Sequence, residues 1–203
     1  MPEIPFNQVK IVDSFWSPRL ELNVTHALLY QWKQLENSGC IQNFRLVADK
    51  NTPGFRHGWF FADSDAYKWL EAAISGYAKY NNPQLLKYID DFISLVQVVQ
   101  TPDGYLYTYN QLIFPESRWE NLQIEHELYC HGHLIEAAVT HFLVTAERKL
   151  LDAGIKAADL LANTFELEYF LVANIRTKLG TYGYTVYGGH WRDWFFALQR
   201  RIW

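Results

Sequence analysis

The sequence has only two cysteines, Cys40 and Cys130, and one methionine. Two thiols are too few for a disulfide framework and suit a reducing compartment. Charge of one sign is also missing: 18 Lys and Arg stand against 22 Asp and Glu, a net charge of -4, and the basic residues are scattered. Without a basic stripe to neutralise phosphates, nucleic acid is not expected as a partner. No apolar run approaches the ~18 residues that cross a bilayer, so no membrane partner is expected. Met1-Pro2-Glu3-Ile4-Pro5-Phe6 has neither the basic nor the apolar region of a secretory leader, which points to a cytoplasmic protein. Absent too are a glycine-rich phosphate loop, a serine nucleophile elbow and a Cys-x-x-Cys pair. Nucleotide binding and the common hydrolase triads therefore have no support.

What the chain does have is apolar material, 49% of its 203 residues, enough for one sizeable core and too short for two ordinary domains. Ser17-Pro18 reads as an N-cap followed by N1. Leu20, Val24, Ala27, Leu28 and Leu35 then recur at helical spacing until Gly39. Asp63-Ser64 opens a second helix, with Ala66, Leu70, Ala73, Ile74 and Tyr77 on one face. Asn82-Pro83 opens a third, whose apolar face is wide enough to pack on two sides. Thr101-Pro102-Asp103-Gly104 is turn chemistry, and the aromatic and β-branched residues after it predict an extended loop or short hairpin. Further helices are expected over about 122–145 and 150–165.

The sequence also repeats. Leu70-Glu71-Ala72-Ala73 returns as Ile135-Glu136-Ala137-Ala138, and Leu85-Leu86 as Leu150-Leu151, at one common offset. Antiparallel helix pairs joined by an extended loop are the expected unit, each burying its faces against its neighbours. The fold class is thus all-α, an incomplete (α/α)6 barrel, because a closed toroid takes about six such pairs. Residues 1–165 form this N-terminal part of a barrel. From Glu166 to Trp203 the texture changes to an aperiodic aromatic tail, expected to be a divergent and frameshifted segment. Open apolar helix faces and this tail predict self-association.

Three constellations could carry chemistry. His126, Cys130 and His133 fall at i, i+4 and i+7, with Glu127 and His131 on adjacent strips, and could in principle bind zinc. A structural zinc site wants four ligands, so a polar cleft face is preferred and no metal is assigned to this chain. Asp63 and Asp65 could pair as acid and base, but capping of a helix start is preferred. Trp59, Phe60, Tyr105, Tyr107, Tyr109 and Trp119 lie in the loops, where they either stack on sugar rings or cover helix ends.

Several blocks, taken in order, resemble glycoside hydrolase family 127. They are Asp13-Ser14-Phe15-Trp16-Ser17-Pro18-Arg19, Asn43-Phe44-Arg45, Asp63-Ser64-Asp65-Ala66-Tyr67-Lys68-Trp69-Leu70-Glu71-Ala72, Pro102-Asp103-Gly104-Tyr105-Leu106, and His126-Glu127-Leu128-Tyr129 through Gly132-His133-Leu134-Ile135-Glu136-Ala137. The resemblance covers roughly residues 6–165 and implies an (α/α)6 barrel that removes non-reducing terminal β-L-arabinofuranose from glycans with retention. It implies a zinc-bound cysteine nucleophile and a glutamate acid/base, both in the family's later half, so neither Cys40 nor Cys130 is assigned that role. No cofactor is expected in this chain, and zinc is expected in the full-length enzyme. By the same resemblance His126 contacts the sugar. A second sugar histidine corresponds to His190 in Gly189-His190, where the following Trp191-Arg192-Asp193-Trp194 departs from the family pattern. The competing readings are a non-catalytic carbohydrate-binding or scaffold module and another (α/α)6 sugar enzyme, an epimerase or lyase.

Overall fold

A computed structural model of the chain describes residues 8–165. Eight α-helices account for the regular structure among them, and no strand occurs there: α1 (Trp16–Leu22), α2 (Leu28–Asn37), α3 (Cys40–Ala48), α4 (Ala62–Tyr80), α5 (Pro83–Val99), α6 (Thr108–Ile113), α7 (Glu127–Thr145) and α8 (Lys149–Thr164). A π-helical segment, Asn23–Ala27, joins α1 to α2 without leaving the right-handed region, so the first expected helix is one rod with a wider turn. That turn carries the buried Val24.

Capping explains several boundaries and corrects others. Asn82 accepts from the backbone N–H groups of Gln84 (3.0 Å) and Leu85 (3.2 Å), with Pro83 at the first helical position, as its sequence predicts. Ser17 is not the cap of α1. The helix opens at Trp16, and Asp13 Oδ1 accepts from the N–H of Phe15 at 2.7 Å and from that of Trp16. Gly39 follows α2 with φ 79° and at once opens α3, a helix the sequence does not announce because its N-cap position is a glycine with no side chain to accept from the first turn. A side chain at Gly39 would meet His57 at 2.6 Å. The helix α7 begins at Glu127 rather than near Leu122, since residues 119–124 form turns.

The repeat is geometric. Helices α4 and α7 are 19 residues each, start and end 65 residues apart, and are each followed by a left-handed residue, Asn81 (φ 43°) and Ala146 (φ 60°). They pack side by side, with α5 on α4, α8 on α7, and α5 against α8. Small residues permit the close approach: Ala137 and Ala138 are buried, and a Cβ at Gly154 would lie 2.7 Å from that of Ala138. Near the start of the chain, Trp32 packs on Trp69 (4.5 Å) and stacks on Tyr88 (5.2 Å), while Trp69 Nε1 donates to Leu28 O at 2.9 Å. These aromatic bodies fill the space between α2, α4 and α5, with the Trp69 indole N–H paired. The described residues thus form an incomplete helical toroid. No helix among them is long and apolar enough to cross a membrane.

Candidate functional site

The loop from Thr101 to Tyr107 and the start of α6, where a short helix replaces the end of the expected extended stretch, lie at the start of α4 and α7, where two buried carboxylates hold them. Asp63 accepts from the backbone N–H and the hydroxyl of Thr108, both at 2.6 Å. Glu127 accepts from Tyr105 Oη (2.5 Å) and Asn110 Nδ2 (3.3 Å) on Oε1, and from Trp119 N (2.9 Å) on Oε2. Burial pushes the Asp63 carboxyl up to about 6 and that of Glu127 up to about 7, against the pull of these donors. Asp63 therefore does not cap its own helix and is not half of an acid/base pair: it bonds to Thr108 at the start of α6, not to the first turn of α4. Asp65, two residues on, is exposed and lies 3.8 Å from Lys68 Nζ.

His131 belongs to the same frame. Its Nδ1 meets Glu127 O at 2.8 Å, and its Nε2 accepts from Leu106 N at 3.2 Å. A carbonyl can only accept and an amide only donate, so the ring carries its proton on Nδ1 and is neutral. Burial lowers its pKa to about 4, in keeping with that state. Tyr105 and Tyr107 are fully buried, so they cover helix ends and do not line a mouth.

The expected stripe of His126, Cys130 and His133 does not form. Cys130 is fully buried, with Sγ 3.9 Å from Phe61 O, and Cys40 Sγ donates to Ala62 O at 3.1 Å. Burial raises both thiols, which makes them poor thiolates. Among the described residues no three His, Cys, Asp or Glu are grouped so as to hold a metal ion. The donor set of residues 8–165 therefore does not fit the zinc that the resemblance implies.

The accessible stripe of α7 runs instead from His126 through Tyr129 and His133 to Glu136. Tyr129 meets the rings of His126 (5.5 Å) and His133 (4.5 Å) edge-on and sits 4.7 Å below Lys68 Nζ. His133 Nδ1 is 2.9 Å from Glu136 Oε2, an ion-pair distance out of line for a hydrogen bond.

His126 occupies the N-cap position of α7 and is half-buried. Its Nδ1 meets Ile124 O at 2.9 Å and so must carry a proton, which leaves Nε2 directed away from that bond and without a partner among the described residues. The ring is walled by Phe60 (5.3 Å) and Phe61 (5.4 Å). Next to it in sequence, Glu125 Oε2 is buried with no hydrogen-bond partner, as is the phenol of Tyr107, which burial raises. A half-buried imidazole with one nitrogen unpaired, set against two phenylalanine rings, offers one polar and one apolar contact to a small polyhydroxylated ligand. Phe61 was missed by the sequence reading, although it completes the aromatic run Trp59-Phe60-Phe61. His190 lies outside the described residues.

The model of the β-L-arabinofuranosidase GH127 catalytic domain matches residues 8–171. A curated relative, the non-reducing end β-L-arabinofuranosidase of Bifidobacterium longum subsp. longum, is 32% identical, and the match covers 77% of this chain and 27% of that protein. The crystal structure of a GH127 β-L-arabinofuranosidase from Geobacillus stearothermophilus T6 superposes with a TM-score of 0.73 at 40% identity, covering 77% of this chain and 26% of that one. A second solved GH127 β-arabinofuranosidase gives 0.71 at 33% identity, over 80% of this chain and 27% of its own.

Proposed function

The chain belongs to the GH127 β-L-arabinofuranosidase catalytic-domain family, and from that membership we propose that it supplies the N-terminal part of a barrel that removes non-reducing terminal β-L-arabinofuranose from glycans with retention. The observation that carries the reading is the environment of His126. Its Nδ1–H is committed to Ile124 O, so a neutral ring presents Nε2 as an acceptor for a sugar hydroxyl. Phe60 and Phe61 fix the ring plane and give the apolar wall that a furanose C–H face needs.

The described residues bind and orient; they do not break the bond. Asp63 and Glu127 are spent on the loop, and both thiols are buried and donate to carbonyls or lie against them. The nucleophile, the acid/base and the zinc that the family resemblance implies are proposed to come from residues outside 8–165. This division favours sugar binding as the property of this part of the protein, consistent with the chain spanning about 27% of its curated relative.

Calorimetric titration of the chain with L-arabinose, wild type against His126→Ala, tests the proposal. Loss of the Nε2 contact should weaken binding roughly tenfold, the range of a hydrogen bond to an uncompensated buried partner. Equal affinity of the two proteins would remove His126 from the sugar site.

A further inference from the structure

Trp59 is 71% exposed, yet it is held in place. The Arg56 guanidinium donates to Gly58 O at 2.6 Å and to Trp59 O, while lying 4.7 Å over the ring of Tyr109. Gly58, at φ 78°, allows the turn that this double contact closes. The indole lies parallel to Phe61, with centroids 6.3 Å apart and planes 1° apart, and meets Phe60 edge-on at 6.4 Å. Those same two phenylalanines wall His126. Trp59 and His126 thus contact the same two phenylalanines.

A large apolar ring that is fixed, open to solvent and in contact with the phenylalanines that wall His126 is a stacking surface prepared in advance, because little ordering remains to be done on binding. Resting on the sugar-binding reading of His126, we propose that Trp59 forms a second subsite, which stacks on the sugar unit attached to the terminal arabinofuranose. The site then reads the leaving-group side of the glycan as well as its end. The occupant follows from the chemistry: the C–H face of a sugar ring is apolar and flat enough to lie on an indole, and a sugar held at His126 carries its neighbour with it.

The test uses the whole chain with two probes, L-arabinose and a disaccharide ending in β-L-arabinofuranose, titrated against wild type, Trp59→Ala, Trp59→Phe and Phe55→Ala. Phe55 is 84% exposed, with no ring partner among the described residues, and controls for removal of an exposed aromatic. Wild type should bind the disaccharide roughly five- to tenfold more tightly than the monosaccharide. Trp59→Ala should abolish that preference and leave L-arabinose affinity unchanged, with Trp59→Phe intermediate and Phe55→Ala like wild type. A disaccharide preference that survives Trp59→Ala, or no preference in wild type, overturns the subsite while L-arabinose binding keeps the His126 reading intact. Failure of wild type to bind either sugar overturns both.

Discussion

The Tyr105 phenol donates to Glu127 Oε1 at 2.5 Å, joining the extended loop to the first turn of α7 in a place where neither group meets solvent. Glu127→Ala would leave the Tyr105 hydroxyl, the Asn110 amide and the Trp119 N–H without their acceptor. The expected cost is about 3 kcal/mol of folding stability. Urea denaturation followed by far-UV circular dichroism measures it, and a loss below about 1 kcal/mol would show that the network is dispensable.

The same group sets a pH dependence. Burial raises Glu127 from an ordinary 4.5 to about 7 and Asp63 from 3.8 to about 6. A carboxyl whose folded pKa lies above its unfolded value contributes stability that is complete below the unfolded value and is lost as pH rises through the folded one. His131, lowered from 6.5 to about 4, works the other way, its contribution being present above 6.5 and lost as pH falls through about 4. Comparison of wild type with Glu127→Gln isolates the carboxyl. The stability of wild type relative to the variant should fall between about pH 5 and about pH 7.5. A relative gain over that range would reverse the assigned direction.

Gly104 has φ 100°, and a Cβ there would lie 2.2 Å from the carbonyl oxygen of Lys156 on α8. Gly104→Ala combines a left-handed backbone with a clash against rigid backbone, and about 2–4 kcal/mol of destabilisation is expected. A melting temperature within a degree or so of wild type would mean that the loop does not rest on α8 as described.

Cys40 and Cys130 should resist modification in the folded chain. Both are buried, and burial raises both thiols. A thiol reagent with absorbance readout should label neither on the timescale that labels free cysteine, and both in denaturant. Rapid labelling of either one in buffer would contradict its placement against the start of α4.

Much of the fold was legible because its signals are local. Asn82-Pro83 and the 65-residue recurrence in α4 and α7 are properties of short sequence stretches, and the structure keeps them. Helix α3 was not legible, since a glycine opens it where the usual side-chain caps are absent. The site was harder to read. Asp63 sits at a helix start with the look of a cap, but its partner, Thr108, is 45 residues away and reaches it only through tertiary packing. Helical spacing put Cys130 on one stripe with His126 and His133; the contact between α4 and α7 buries it and leaves Tyr129 to continue the accessible face. The loop aromatics divided in a way that composition could not show, with Tyr105 and Tyr107 inside and Trp59 out.

The most direct measurement is an NMR titration of the histidine Cε1–H signals with L-arabinose, with His126 assigned through His126→Ala. The His126 resonance should move in a saturable manner, while that of His131, buried and bonded at both nitrogens, stays fixed. A His126 signal that does not respond while sugar binds elsewhere would contradict the account.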